Sequence, residues 1–81
     1  MSDNEPRARI SNVIRKADGL VILDFGYIGE WYARQIWARC KARKCAMCVV
    51  TGKKIEVGDS VYRPVTNARN RMYRILAARF D

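Results

Sequence analysis

From Arg9 to Lys16 the chain is rich in β-branched residues, with Ile10, Val13 and Ile14 set among polar positions and Asn12 between them. Ala17-Asp18-Gly19 then interrupts the pattern, and Leu20 to Phe25 is a second apolar run. Two extended runs joined through Asp-Gly predict a β-hairpin, because that dipeptide tolerates the positive φ a tight turn needs. Gly26 and Gly29 bracket a short loop, and Glu30 to Ala42 follows with two readings. Tyr32, Ala33, Ile36, Trp37 and Cys40 fall on one helical face, with Arg34, Gln35 and Arg39 opposite, which is the 3.6-residue period. The short loop before the segment and its aromatic and β-branched content suit a third antiparallel strand closing a meander.

The next stretch, Cys45 to Pro64, carries two turn signals, Thr51-Gly52 and Gly58-Asp59, between short strand candidates at Met47–Val50 and Ser60–Arg63. Pro64 ends the second strand, and Thr66 or Asn67 is placed to cap a helix reaching Phe80. Met72, Ile75, Leu76 and Ala77 give that helix an apolar stripe, widened by Tyr73 and Phe80, while Arg69, Arg71, Arg74 and Arg79 decorate the rest. The expected architecture is α+β: one small domain over residues 9–81, built of antiparallel hairpins and a ribbon with a knuckle-like turn, followed by a C-terminal helix. Residues 1–8 are polar, include Pro6 and read as a disordered tail.

A hydrophobic fraction of 49% is that of a folded domain and excludes a purely disordered basic tail. At 81 residues the chain is near the lower limit for a single apolar core, where a metal or a homodimer commonly adds stability. Sixteen Lys and Arg against eight Asp and Glu give a formal +8. No acid stands between Trp31 and Ile55, nor between Ser60 and Phe80. The candidate polyanion contacts are therefore Arg34, Arg39, Lys41, Arg43, Lys44, Lys53, Lys54, Arg69, Arg71 and Arg74, with Trp31, Tyr32 or Tyr62 as stacking partners where exposed. No apolar leader or membrane-length run is present, which with an odd number of cysteines points to a reducing cytoplasm.

Cys45-x-x-Cys48 ahead of Thr51-Gly52 has the outline of a zinc knuckle, in which a tight turn brings two thiolates to one metal. Three cysteines, no histidine and no second Cys-x-x-Cys leave a four-ligand shell unfilled from Cys and His of one chain. Zinc at Cys45 and Cys48 would need Cys40, Asp59 or a partner chain; the alternative is that the cysteines fill a turn as small, weakly polar residues. Catalysis has little to stand on: there is no His, and Asp18, Asp24, Glu30, Glu56 and Asp59 are scattered or turn-placed rather than paired.

Tyr32, Gln35 and Trp37, then Ala42-Arg43, Cys48 with Thr51-Gly52, Ile55, Gly58-Asp59, Val61-Tyr62-Arg63-Pro64, and finally Asn70 with Ile75-Leu76-Ala77 are the positions by which the chain resembles an uncharacterised bacterial family, domain of unknown function 3331. The resemblance spans Tyr32 to Ala77. It implies a strand over Glu30 to Ala42, because the family carries Gly where Ala33 stands. It also implies that a shared zinc site is absent, since only Cys48 matches a family position, and that Trp37 and Tyr62 are core. It implies no activity. The residues therefore lead to a non-enzymatic, small basic binding module that contacts nucleic acid or another polyanion; the alternative is a protein-interaction or self-associating module meeting an acidic partner or a second copy.

Overall fold

The computed structural model of the chain describes residues 7–80. Seven strands are present among these residues: β1 (Arg9–Ala17), β2 (Leu20–Tyr27), β3 (Glu30–Lys41), β4 (Ala46–Met47), β5 (Lys54–Ile55), β6 (Ser60–Pro64) and β7 (Ile75–Leu76). Five of them form one antiparallel sheet in the order β1-β2-β3-β6-β7, curled into a half-barrel, and β4 pairs with β5 in a separate ribbon.

The β1–β2 hairpin closes at Ala17↔Leu20 around Asp18-Gly19, with Gly19 at φ +78°, as the Asp-Gly signal anticipates. The β2–β3 hairpin closes at Tyr27↔Glu30 around Ile28-Gly29, where both residues have positive φ. Glu30 to Lys41 is strand throughout. Gly26, expected in the loop, lies in β2, and its missing Cβ gives room to Trp31: a carbon placed there would stand 2.8 Å from the indole.

Two bulges flank Asp24, and β1 carries a further register shift between Arg15 and Ala17. In β1, Asn12 (φ +52°) is the extra residue between Ser11↔Asp24 and Ile14↔Ile22; in β3, Arg34 (φ +53°) is extra between Phe25↔Tyr32 and Leu23↔Gln35. The Asp24 carboxylate accepts from Asn12 Nδ2 and from the Arg34 backbone N–H, both at 2.8 Å. One side chain on the middle strand thus fixes the irregularity of both neighbours, and bulges of this kind bend a strand and tighten its twist.

The concave face holds the core. Val21, Leu23 and Phe25 of β2, Trp37 of β3, Tyr62 of β6 and Ile75 of β7 are buried together, and Phe25 lies 5.3 Å from Trp37 and 5.9 Å from Tyr73, ring centre to ring centre. The Cys48–Val49 segment meets both edges of the sheet: Ala8 N–H donates to the Val49 carbonyl, and Val49 N–H donates to the Arg74 carbonyl. The tail expected over residues 1–8 falls mostly outside the described residues; of the two that are described, Ala8 is buried and Arg7 lies over Gly52.

The C-terminal helix is not formed, and the fold is mostly antiparallel β rather than α+β. In its place stand a 3₁₀ turn at Arg69–Met72, the short strand β7, and a second 3₁₀ turn at Ala77–Arg79. Two physical causes are visible. The first turn starts at Ala68 with no side-chain cap, while Thr66 and Asn67, the expected caps, are exposed. Ile75 and Leu76 instead pair with Tyr62 and Val61, which satisfies the edge of β6 that a helix would leave open. Burial then follows a strand-like alternation, with Ile75 and Ala77 inside, and Met72 is 63% exposed instead of lying on an apolar stripe.

Candidate nucleic-acid interface

Opposite residues of an antiparallel pair share a face. The register Ala38↔Arg63 and Cys40↔Val61 therefore sets Arg63 on the same side of the sheet as Cys40. The chain leaves β3 at Lys41, and the Ala42 carbonyl accepts from Gly58 N–H while Ala42 N–H donates to the Asp59 carbonyl, so the residue 43–57 excursion is pinched at its base. Asp59 also takes the Glu56 N–H on its carboxylate at 2.9 Å, the turn-forming role its place after Gly58 anticipates.

This geometry opens a cleft of about 660 Å³ between the β3–β6 end of the sheet, the ribbon and the C-terminal turns. Lys41, Arg43, Lys44, Arg63 and Arg74 line it, and no carboxylate of the described residues does. Cys40, Ala42, Ala46, Ile55 and Met72 supply its apolar lining. Arg74 is half-buried, and its Nη1 donates to the carbonyls of Arg71 (3.0 Å) and Tyr73 (2.9 Å), so the guanidinium is held by backbone.

Of the ten cationic candidates from the sequence, Lys41, Arg43, Lys44 and Arg74 come together here. Arg39 does not: it lines a separate groove of about 310 Å³ with Arg15, Lys16, Asp18, Tyr62 and Phe80. Arg34 is spent on the β3 bulge through its backbone N–H, although its side chain is exposed. Lys53 and Lys54 are exposed on the ribbon. Arg69 pairs with Glu30 at 3.4 Å, the one ion pair among the described residues, and Glu30 in turn accepts from the Tyr32 hydroxyl. That hydroxyl, followed by Arg69, holds the Glu30 carboxyl below its usual range. Arg71 is exposed and donates to the Ala68 carbonyl at 3.4 Å.

Arg63 is the functional candidate absent from that set. Its sequence neighbours place it in a strand, but only the β3–β6 register brings it beside Cys40, and a register between distant strands has no local signal. The stacking candidates divide as follows. Tyr62 is buried against Phe80, ring centres 5.0 Å apart, which leaves little of its ring to stack a base. Trp31 is 59% exposed but stands at the other end of the twelve-residue strand β3 from the cleft.

The two knuckle cysteines part company. Cys45 is exposed, whereas Cys48 is fully buried and its Sγ accepts the backbone N–H groups of Leu76 (3.3 Å) and Thr51 (3.5 Å). Burial pushes the Cys48 thiol up, but the hydrogen bonds from the Thr51 side chain and from the backbone of Leu76, Thr51 and Val50 outweigh it and hold the thiol below its ordinary range. Cys48 is thereby the hub that joins the Thr51-Gly52 turn to β7. No group of three or more His, Cys, Asp or Glu with metal-holding geometry occurs among the described residues. No helix among them is long and apolar enough to cross a membrane. Compared with known proteins, the chain matches no family model, no curated protein and no solved structure.

Proposed function

We propose that this chain is a small, non-enzymatic binding module that contacts nucleic acid through the cleft between the end of β3, β6 and the ribbon. The observation that carries the reading is the convergence of Lys41, Arg43, Lys44, Arg63 and Arg74 on one concavity with no acid of the described residues in its wall. Cations gathered without counter-charge repel one another, and the potential they build in a walled cleft attracts a polyanion and speeds its association. Three of the described carboxylates have structural roles, which favours binding over catalysis: Asp24 braces two bulges, Glu30 is paired and Asp59 closes a turn.

Titrating a labelled oligonucleotide at about 50 and about 200 mM salt tests this. With about four phosphates engaged, the affinity is expected to fall about 50-fold for a single strand and about 150-fold for a duplex between the two conditions. Absence of binding at the lower salt removes the reading.

One observation favours a second reading, self-association or protein contact. Ile14, Ile22 and Ile36 are cross-strand neighbours on the outer face of β1, β2 and β3, with Ile14 and Ile36 over 40% exposed and Val65, whose N–H bonds the Ile36 carbonyl, alongside. An aliphatic row of this kind on a small domain is a contact surface for a second copy or a partner. A sedimentation measurement that finds dimers insensitive to salt supports this reading.

A further inference from the structure

The cleft has features that a surface built only for long-range attraction does not need. Its volume, about 660 Å³, lies in the range of pockets that enclose a small organic group, and a flat basic face has no such volume. Its lining combines two chemistries: four exposed cations, Lys41, Arg43, Lys44 and Arg63, and one half-buried cation, Arg74, accompany apolar side chains that include the buried Ile55 and Ala42. Both hydrogen bonds that Arg74 makes among the described residues use Nη1, which leaves Nε and Nη2 for a ligand on a guanidinium already fixed in place. A prefixed fork loses little freedom on binding and matches the oxygens of a phosphate.

We infer that this cleft receives one nucleotide unit of a single-stranded nucleic acid, with its phosphate on Arg74 and Arg63 and its base or sugar against the apolar side chains. The inference rests on the polyanion reading above and narrows it. A duplex keeps its bases stacked inside and offers a protein only its phosphate ridges and groove edges, so it has nothing to insert into a partly apolar pocket. A single strand has unstacked units that enter one at a time. The apolar side chains Ala42, Ala46, Ile55 and Met72 present no amide, hydroxyl or carboxylate to read a base edge, so the fit is tolerant of sequence.

The test compares a labelled oligothymidine, the duplex of the same length and a thymidine mononucleotide as competitor, with the wild-type chain and three variants of equal charge loss: Arg63→Gln, Arg74→Gln and Arg15→Gln. Arg15 lines the other groove and controls for net charge. Arg63 is exposed on β6, so its variant keeps the test open should Arg74→Gln disturb the turn. The single strand is expected to bind more tightly than the duplex, and Arg63→Gln and Arg74→Gln each to weaken it roughly tenfold, with Arg15→Gln changing it by about twofold or less. Equal binding of duplex and single strand overturns the inference and leaves the polyanion reading standing. An equal loss in Arg15→Gln removes the cleft as the site, competition by the mononucleotide as effective as by the oligomer makes the ligand a free nucleotide, and no binding of any form fails the polyanion reading itself.

Discussion

Gln35 and Asn70 pair amide to amide inside the protein: Gln35 Nε2 donates to Asn70 Oδ1 at 3.0 Å, and Asn70 Nδ2 donates to Gln35 Oε1 at 2.8 Å. The Trp37 indole N–H donates to the same Gln35 oxygen at 3.3 Å. Both amides are buried, and no buried side-chain nitrogen or oxygen among the described residues lacks a partner. The pair docks the Arg69–Met72 turn onto β3, and that turn sets the path into Arg74 and the cleft. Replacing Asn70 by Ala leaves the Gln35 amide buried with its main partner gone, at a cost of about 1–3 kcal/mol. Urea denaturation reads the loss as a lower midpoint, and the Gln35→Leu, Asn70→Leu double variant is expected to lose less than the sum of its singles. An unchanged midpoint in Asn70→Ala would show that the turn is not held by this pair.

Asp24 gives the fold an acid-sensitive brace. The Asn12 side-chain amide first, and then the Arg34 backbone N–H, hold its carboxyl below the usual carboxylate value. A carboxyl whose pKa is lower folded than unfolded contributes fully above its ordinary value and loses that contribution as pH falls through its folded one, a window below about pH 4. Asp24→Asn is expected to show a shallower loss of stability with falling pH in that window, followed by thermal unfolding. Superimposable acid limbs for the two proteins would mean that the carboxylate does not hold the bulges.

Ile28 stands at φ +45° beside Gly29 at φ +76° in the two-residue turn between β2 and β3. Two positive φ values in succession are the turn that favours Asn-Gly, and a β-branched residue is strained at the first position. The side chain is 68% exposed, so little packing is lost by changing it. Ile28→Asn is expected to gain about 1 kcal/mol and raise Tm by roughly 4–8 °C. A lowered Tm would show the Ile28 side chain making contacts worth more than the strain.

These same features explain which parts of the fold can be read from the chain. The Asp18-Gly19 hairpin is legible because its cause is local. β3 imitates a helix because the Arg34 bulge breaks the strand alternation: the inward Tyr32 and Trp37 and the outward Ile36 fall together on one helical face, which leaves out the inward Gln35. The C-terminal segment misleads more strongly, since Ile75, Leu76 and Ala77 are as good a helix stripe as a strand. What decides it is the open edge of β6 and the Gln35–Asn70 pair, formed across 35 positions. For the candidate site, Lys41, Arg43 and Lys44 cluster in sequence and are legible; Arg63 and Arg74 join them only through strand register and turn docking.

The central claim is that a polyanion binds in the cleft at the β3–β6 end of the sheet, and mapping the backbone amides of the labelled protein by NMR during titration with oligothymidine at low salt tests it most directly. Shifts are expected to concentrate at Lys41 to Ala46, Arg63 and Arg74, to reverse on raising the salt, and to leave the Arg15–Leu20 groove and the Ile14–Ile36 row unmoved. Shifts confined to that row, or spread evenly over every Arg and Lys of the surface, would contradict the account.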